Sequence, residues 1–194
     1  HTHEGAEVID VPVTSDGVID LEFLRRLVSD RGTEIAVISI MHSNNETGVL
    51  QPIQEIVGIS GDIPVHTDAV QSFTKTSLSY KKSGVTALTL SAHKIGGPLG
   101  IGALILRRAF EIPALLHGGG QEREIRSGTL NAPSIVAFAT AVNDSYDSKK
   151  VSDLRDAFIS GVKRLIPDAY INGEKSERLP GIVNVTFPGT QSDT

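Results

Sequence analysis

The amino-acid sequence predicts an α/β fold on a largely parallel β-sheet, and two observations predict it. Short apolar runs of strand length alternate with segments whose apolar residues recur at helical spacing. Turn and cap residues, among them Asp16-Gly17, Asp20, Pro52 and Pro133, fall at the junctions between these segments. Strands that alternate with helices argue for a sheet whose neighbours run mostly parallel.

The elements follow in chain order. Residues 7–13 read as a strand, and Pro12, which has no N–H to donate, places it at a sheet edge or ends it early. Asp16-Gly17 is a turn. Asp20 caps a helix to residue 29 with Leu21, Leu24 and Leu27 on one face. Residues 35–41 form a strand, and Pro52 opens a helix to residue 58. Residues 63–67 are a short buried strand, with Pro64 tolerable near its start. Residues 85–91 and 101–107 are two more strands, joined by a glycine turn around Lys94. Residues 131–146 are helical with Pro133 in the first turn; residues 151–165 are helical with Leu154, Phe158 and Val162 on one face. Residues 182–187 alternate as a strand does. A polar run at 144–152 marks a domain boundary, and no internal repeat is visible.

Composition removes several functions. The chain has 194 residues, 39% of them apolar, enough for one sizeable core and part of a second. Its 18 basic and 23 acidic residues give a net charge of −5, which argues against a nucleic-acid surface. No apolar run approaches the roughly 18 residues of a membrane span, and no signal-peptide pattern opens the chain. His1 and His3 have no further ligands around them, so no metal site is expected there. There is no cysteine, which excludes disulfides and thiolate metal sites and points to a cytoplasmic setting.

The chemistry concentrates in four stretches. In Leu90-Ser91-Ala92-His93-Lys94-Ile95-Gly96-Gly97, a strand delivers a lysine into a turn of glycines. Burial and neighbouring cations that depress a lysine's pKa make it a nucleophilic amine, able to form Schiff bases with carbonyl compounds, pyridoxal phosphate above all; a surface lysine at a hairpin corner is the plainer reading. Ser91 and His93 are two apart, so an extended backbone puts both on one face, where a hydroxyl and an imidazole suit a phosphate or simply face solvent. In Val65-His66-Thr67-Asp68-Ala69-Val70-Gln71, Asp68 falls at the carboxyl end of a strand, where ligands sit in open α/β sheets. A carboxylate there holds a proton on a pyridine nitrogen, or else caps a helix at 69–73. Met41-His42-Ser43-Asn44-Asn45-Glu46-Thr47-Gly48 follows another strand, and its amides suit a ring hydroxyl or a substrate carboxylate as well as a turn. His117-Gly118-Gly119-Gly120-Gln121-Glu122-Arg123 and Arg126-Ser127-Gly128-Thr129 make a charged glycine loop. A His-Gly-Gly-Gly run also builds the oxyanion hole of some esterases, but their Gly-x-Ser-x-Gly elbow is broken here at Gly58-Ile59-Ser60-Gly61-Asp62. A Walker phosphate loop is absent.

These four motifs, in this order and spacing, resemble the cysteine desulfurases of the NifS/IscS group, within the class V aminotransferase family of fold-type I pyridoxal phosphate enzymes. The resemblance runs from Gly5 onward. It implies a three-layer α/β/α large domain with a mostly parallel sheet over residues 1–148, and the beginning of a smaller C-terminal domain over 149–194. It implies pyridoxal 5'-phosphate as cofactor, with Lys94 as its Schiff-base lysine, Asp68 on the pyridinium nitrogen, and Gln71 and Asn45 on the ring hydroxyl. Asn45 is implied also on the substrate carboxylate, Ser91 and His93 on the phosphate, and Thr129 on the phosphate of a neighbouring subunit in a homodimer. Arg126 and the 118–120 loop would shape the mouth. His93 and Lys94 are the candidate catalytic pair.

The activity implied is conversion of L-cysteine to L-alanine, with the sulfur held as a persulfide for an acceptor such as an iron–sulfur scaffold. A selenocysteine lyase or another class V enzyme is the alternative, and a non-catalytic cofactor-binding or dimerisation domain is a third. Both ends read as cut: the ring-stacking histidine is expected upstream of residue 1, and the acceptor cysteine and the carboxylate-clamping arginine beyond Thr194. The chain by itself is therefore expected to be inactive.

Overall fold

The computed structural model describes residues 5–144 and 146–190. The His1-Thr2-His3 opening, Ser145 of the polar run and the Ser192-Asp193-Thr194 end lie outside the described residues. A four-stranded sheet runs in the order β1 (Ile38–Met41), β2 (Val65–Asp68), β3 (Ala87–Ser91), β4 (Gly102–Leu106). β1, β2 and β3 pair parallel, and β4 pairs antiparallel to β3. The reason lies in the connections. Helix α2 (Ile53–Ser60) links β1 to β2, and α3 (Tyr80–Ser83), with the turns before it, links β2 to β3. The segment 92–101 between β3 and β4 is a 3-10 turn and glycines, with no crossover helix to bring the next strand round parallel.

Strand periodicity divides the sheet into two faces. Ile38, Val65, Thr67, Leu88 and Leu90 are buried, and all but Thr67 join Leu24 of α1 (Leu21–Arg31) and Ile53 and Ile56 of α2 in the main core. Ser39, Met41, His66, Asp68, Thr89 and Ser91 occupy the alternate positions and are half-buried or exposed. The hydrophobic pattern that seats the sheet on α1 and α2 thus turns its polar set to the other side. The Asp20 cap is present, with Oδ1 accepting from Phe23 N at 2.9 Å.

Beyond β4, helix α4 (Ala132–Val142) touches the 3-10 turn Ala92–Ile95, and its Phe138 joins the core. Helix α5 (Ser148–Leu165) follows, then an antiparallel pair of β5 (Tyr170–Ile171) and β6 (Val185–Thr186). Residues 177–179 are bonded to the turn after β1: Leu50 N donates to Glu177 O and Leu179 N to Gly48 O, both at 2.8 Å. Val49 and Leu179 are fully buried there.

Three expectations change, and two elements appear that the pattern does not announce. Residues 7–12 form no ladder among the described residues; Val13 makes one bridge to Ile19 around the Asp16-Gly17 turn, because Pro12 offers only its carbonyl, which accepts from Asp20 N at 2.8 Å. The helix expected to residue 146 stops at Val142, where the Asn143 side chain turns back on Ala139 O at 3.0 Å. On α5, Leu154 and Phe158 are 63% and 56% exposed, while Ile159 is buried. The helix meets the rest of the chain along Arg155 and Ile159 instead, with Arg155 Nη1 donating to Leu179 O at 3.3 Å. Helix α3 and strand β5 have too few residues to show a period, and the sequence pattern does not announce them.

Candidate active site

The parallel pairings bring three of the four motifs to one end of the sheet. Asp68 is the last residue of β2 and is opposite Met41 of β1 and Thr89 of β3. It is exposed. Its Oδ1 accepts from Val70 N at 2.9 Å, and Oδ2 has no partner among the described residues. The alternative reading of Asp68, as the cap of a helix at 69–73, is not met: the segment is a turn, with Phe73 N reaching Ala69 O at 2.9 Å and no helix continuing. Asp68 therefore closes a local turn with one oxygen, and the other is available to a cation. Gln71 is half-buried in that turn.

Ser91 ends β3, and its Oγ meets His93 Nδ1 at 2.7 Å. The pair expected from their spacing is formed, although the backbone between them has already entered the 3-10 turn. Lys94 is in the same turn, closed by Gly96 at φ +85°. Gly97 packs onto the turn so closely that a Cβ there would lie 2.9 Å from Ala92 Cβ and 3.0 Å from Ala92 O. Gly97→Ala is accordingly expected to destabilise the chain by about 1–3 kcal/mol, the usual cost of overpacking. Urea unfolding checks it; an unchanged midpoint would show that the turn yields freely.

Lys94 is exposed, not held in the burial that the sequence leads one to expect. The half-buried amine is Lys75, at the end of the turn that begins with Asp68. Burial pushes the Lys75 ammonium below the ordinary lysine value, and the charge of Lys94 pushes it further. Sequence reasoning passed over Lys75 because a lysine outside any motif carries no local signal; its proximity to Lys94 is tertiary.

The turn after β1 adjoins Asp68 through its backbone, His42 N donating to Asp68 O at 2.7 Å. Asn44 builds this turn: its Oδ1 accepts from Glu46 N at 2.9 Å and Thr47 N at 2.8 Å. Asn45 is thereby left exposed at the tip. His42 is half-buried, and burial holds its imidazole below its ordinary value against the opposing charge of Glu177.

The glycine loop is a tied structure of its own. Ser127 is buried, accepts from Gly120 N at 3.3 Å, and donates its N–H to Leu116 O at 3.0 Å. Gln121 Oε1 accepts from Gly128 N at 2.9 Å. Glu122, Arg123 and Glu124 all have positive φ, at 49°, 56° and 65°. Left-handed backbone costs an L-residue about 1–2 kcal/mol, which those ties offset. Thr129 is exposed beside this loop, and no hydrogen bond joins it to Ser91, His93 or Lys94 among the described residues. A cleft of about 510 Å³ between α1 and α2, lined by Arg25, Val28 and Glu55, contains none of these residues.

The donor set fits one group. A carboxylate with a spare oxygen, a hydroxyl–imidazole pair and a primary amine lie at the carboxyl ends of adjacent strands, matching the pyridinium, phosphate and carbonyl of pyridoxal phosphate. The fold and these donors are of the kind that the α/β class of pyridoxal phosphate-dependent proteins uses to hold its cofactor. More particularly, the chain belongs to the class V aminotransferase family, whose model matches residues 1–194 and whose members depend on this cofactor. It is 38% identical to the cysteine desulfurase IscS of Rickettsia bellii, over 98% of this chain and 48% of the relative. It is 39% identical to the IscS-like cysteine desulfurase of Mycobacterium tuberculosis, over 98% of this chain and 50% of the relative. The crystal structure of a NifS-like protein from Rickettsia africae superposes with a TM-score of 0.87 at 36% identity, over 93% of this chain and 52% of that one. The chain spans about half the length of the curated relatives it matches.

Proposed function

We propose that this chain is the cofactor-binding core of a pyridoxal phosphate-dependent cysteine desulfurase, which converts L-cysteine to L-alanine and passes the sulfur to an acceptor protein such as an iron–sulfur scaffold. The observation that supports it most directly is the meeting of Asp68, the Ser91–His93 pair and Lys94 at one end of the sheet, in a chain whose relatives are named cysteine desulfurases. Bound there, the cofactor supplies a sink for the electrons left when the substrate loses its α-proton.

The chain's own residues do the rest. The Lys94 amine would hold the cofactor carbonyl and would carry the α-proton of the substrate. The Asp68 carboxylate keeps a proton on the ring nitrogen. Ser91 and His93 hold the phosphate, Gln71 and Asn45 the ring hydroxyl, and Asn45 also the substrate carboxylate. Thr129 reaches the phosphate of a second subunit in a homodimer, and Arg126 and the 118–120 loop border the entrance. Residues 1–148 form the large domain, and 149–194 begin a smaller one. The protein works in the cytoplasm.

Sulfur transfer needs a thiolate, and none of the 194 residues is a cysteine. With pyridoxal phosphate, L-cysteine and a reductant, this chain is therefore expected to develop a yellow absorbance but to release no sulfide or alanine beyond the cofactor's own background. Failure to change the cofactor spectrum would overturn the binding-site reading. Steady turnover would overturn the need for a protein thiol.

A further inference from the structure

Immediately behind Asp68, on the same face of the sheet, three side chains form a bonded row that the proposed reaction does not use. His66 of β2 has Ser39 of β1 on one side, with Oγ to Nδ1 at 2.8 Å, and Thr89 of β3 on the other, with Nε2 to Oγ1 at 2.8 Å. The row is built by register. Ser39 is directly opposite His66, and Thr89 directly opposite Asp68. Thr89 thus belongs both to the clamp on the imidazole and to the row of the carboxylate, and its carbonyl accepts from Ala69 N at 3.0 Å, just past Asp68.

We propose that His66, clamped between Ser39 and Thr89, is a positioning residue for Asp68: its neutral ring leaves the carboxylate free for a cofactor cation, and its charged ring competes for that carboxylate. The inference rests on the reading of Asp68 as the partner of the cofactor ring. Hydroxyls both donate and accept, so the clamp serves the imidazole in either state. With one ring N–H, the ring donates to one hydroxyl and accepts from the other; with two, it donates to both. Protonation then changes the charge beside Asp68 without breaking the row.

The groups facing His66 are few. β1 presents Ser39 and Met41, β3 presents Ala87 and Thr89, and its own strand presents Asp68; of these only Asp68 ionises. The main core with α2 is on the other face. Burial pushes the imidazole below its ordinary value of 6.5, and the Asp68 charge opposes that push. The ring is therefore neutral near pH 7, and it charges at a lower pH than in the unfolded chain. Between those two points the unfolded chain binds more protons, so stability falls as pH drops below about 6.5.

Two measurements test this. The first needs no cofactor: His66 is titrated by NMR in the wild-type chain and in Asp68→Asn. The variant keeps an oxygen for Val70 N and removes the charge. The His66 midpoint is expected to move down; an unchanged or raised midpoint overturns the coupling. The second follows pyridoxal phosphate affinity by absorbance from about pH 8 to pH 5, the range in which histidine changes charge, for wild type and His66→Gln. The glutamine keeps a donor and an acceptor between the hydroxyls but cannot charge. The ratio of the wild-type Kd to that of the variant is expected to rise several-fold as pH falls. A ratio independent of pH overturns the competition, whatever the variant does to stability. Wild-type chain that binds no cofactor at any pH defeats the reading of the site itself, and the first measurement then decides on the coupling alone.

Discussion

Borohydride reduction of the protein loaded with pyridoxal phosphate is expected to fix the cofactor on Lys94. Peptide mapping should find the label there, and Lys94→Ala should reduce it to the background of the other lysines. The competing amine is Lys75. Its depressed pKa leaves more of it unprotonated at neutral pH, which by itself favours attack on a carbonyl. Position argues the other way: Lys94 shares its turn with the Ser91–His93 pair, which is suited to the cofactor phosphate. Lys75→Arg, which keeps the positive charge, should accordingly leave the label on Lys94. Label on Lys75 with Lys94 unmodified would reassign the nucleophile. Where the longer relatives' reaction is assayed, the proposed roles of Lys94 mean that its loss would remove both the anchor and the proton carrier. The second alone is worth about 10²–10⁴-fold in rate.

Asp68→Ala is expected to have the next largest effect. Losing a hydrogen bond to a charged group costs about 1.5–3 kcal/mol, or roughly 10- to 10²-fold in cofactor Kd. In a protein that turns substrate over, the ring nitrogen would also lose its proton, and a loss of about 10²-fold or more in kcat/KM follows, the scale of removing one preorganised charged partner. The fold should tolerate the change, because Asp68 is exposed and forms one turn hydrogen bond, to Val70 N. A variant with wild-type affinity and turnover would reduce Asp68 to a turn residue. An equilibrium titration of pyridoxal phosphate against both proteins decides it.

Much of this was legible from the residues. Strands 35–41, 63–67, 85–91 and 101–107 contain β1 to β4, with the second one residue short of Asp68, because β-branched runs bounded by Gly, Pro and Asp carry a strong local signal. The Asp20 cap and the Ser91–His93 pairing were legible for the same reason: both depend on residues no more than three apart. The faces of α5 were not. Leu154 and Phe158 have the helical spacing of a buried stripe, yet the helix turns Ile159 inward and leaves them exposed, since the choice between two apolar faces is made by what the helix packs against. Lys75 and the role of His66 were not legible, because the side chains that hold or press on them come mainly from distant strands and turns. Their neighbours are Lys94, Ser39 and Thr89, 19, 27 and 23 residues away.

By itself the sequence determined the class of fold, the motifs and the kind of chemistry they serve, for these depend on short-range pattern and on side-chain functional groups. The tertiary structure decided which of those groups meet. Parallel pairing in one register aligned Asp68 with Thr89 and His66 with Ser39, and so placed a carboxylate and a clamped imidazole on one surface. A shift of one residue in either pairing would have turned a strand's polar set into the core. Burying Ile38, Val65, Leu88 and Leu90 against α1 and α2 is what forbids that shift.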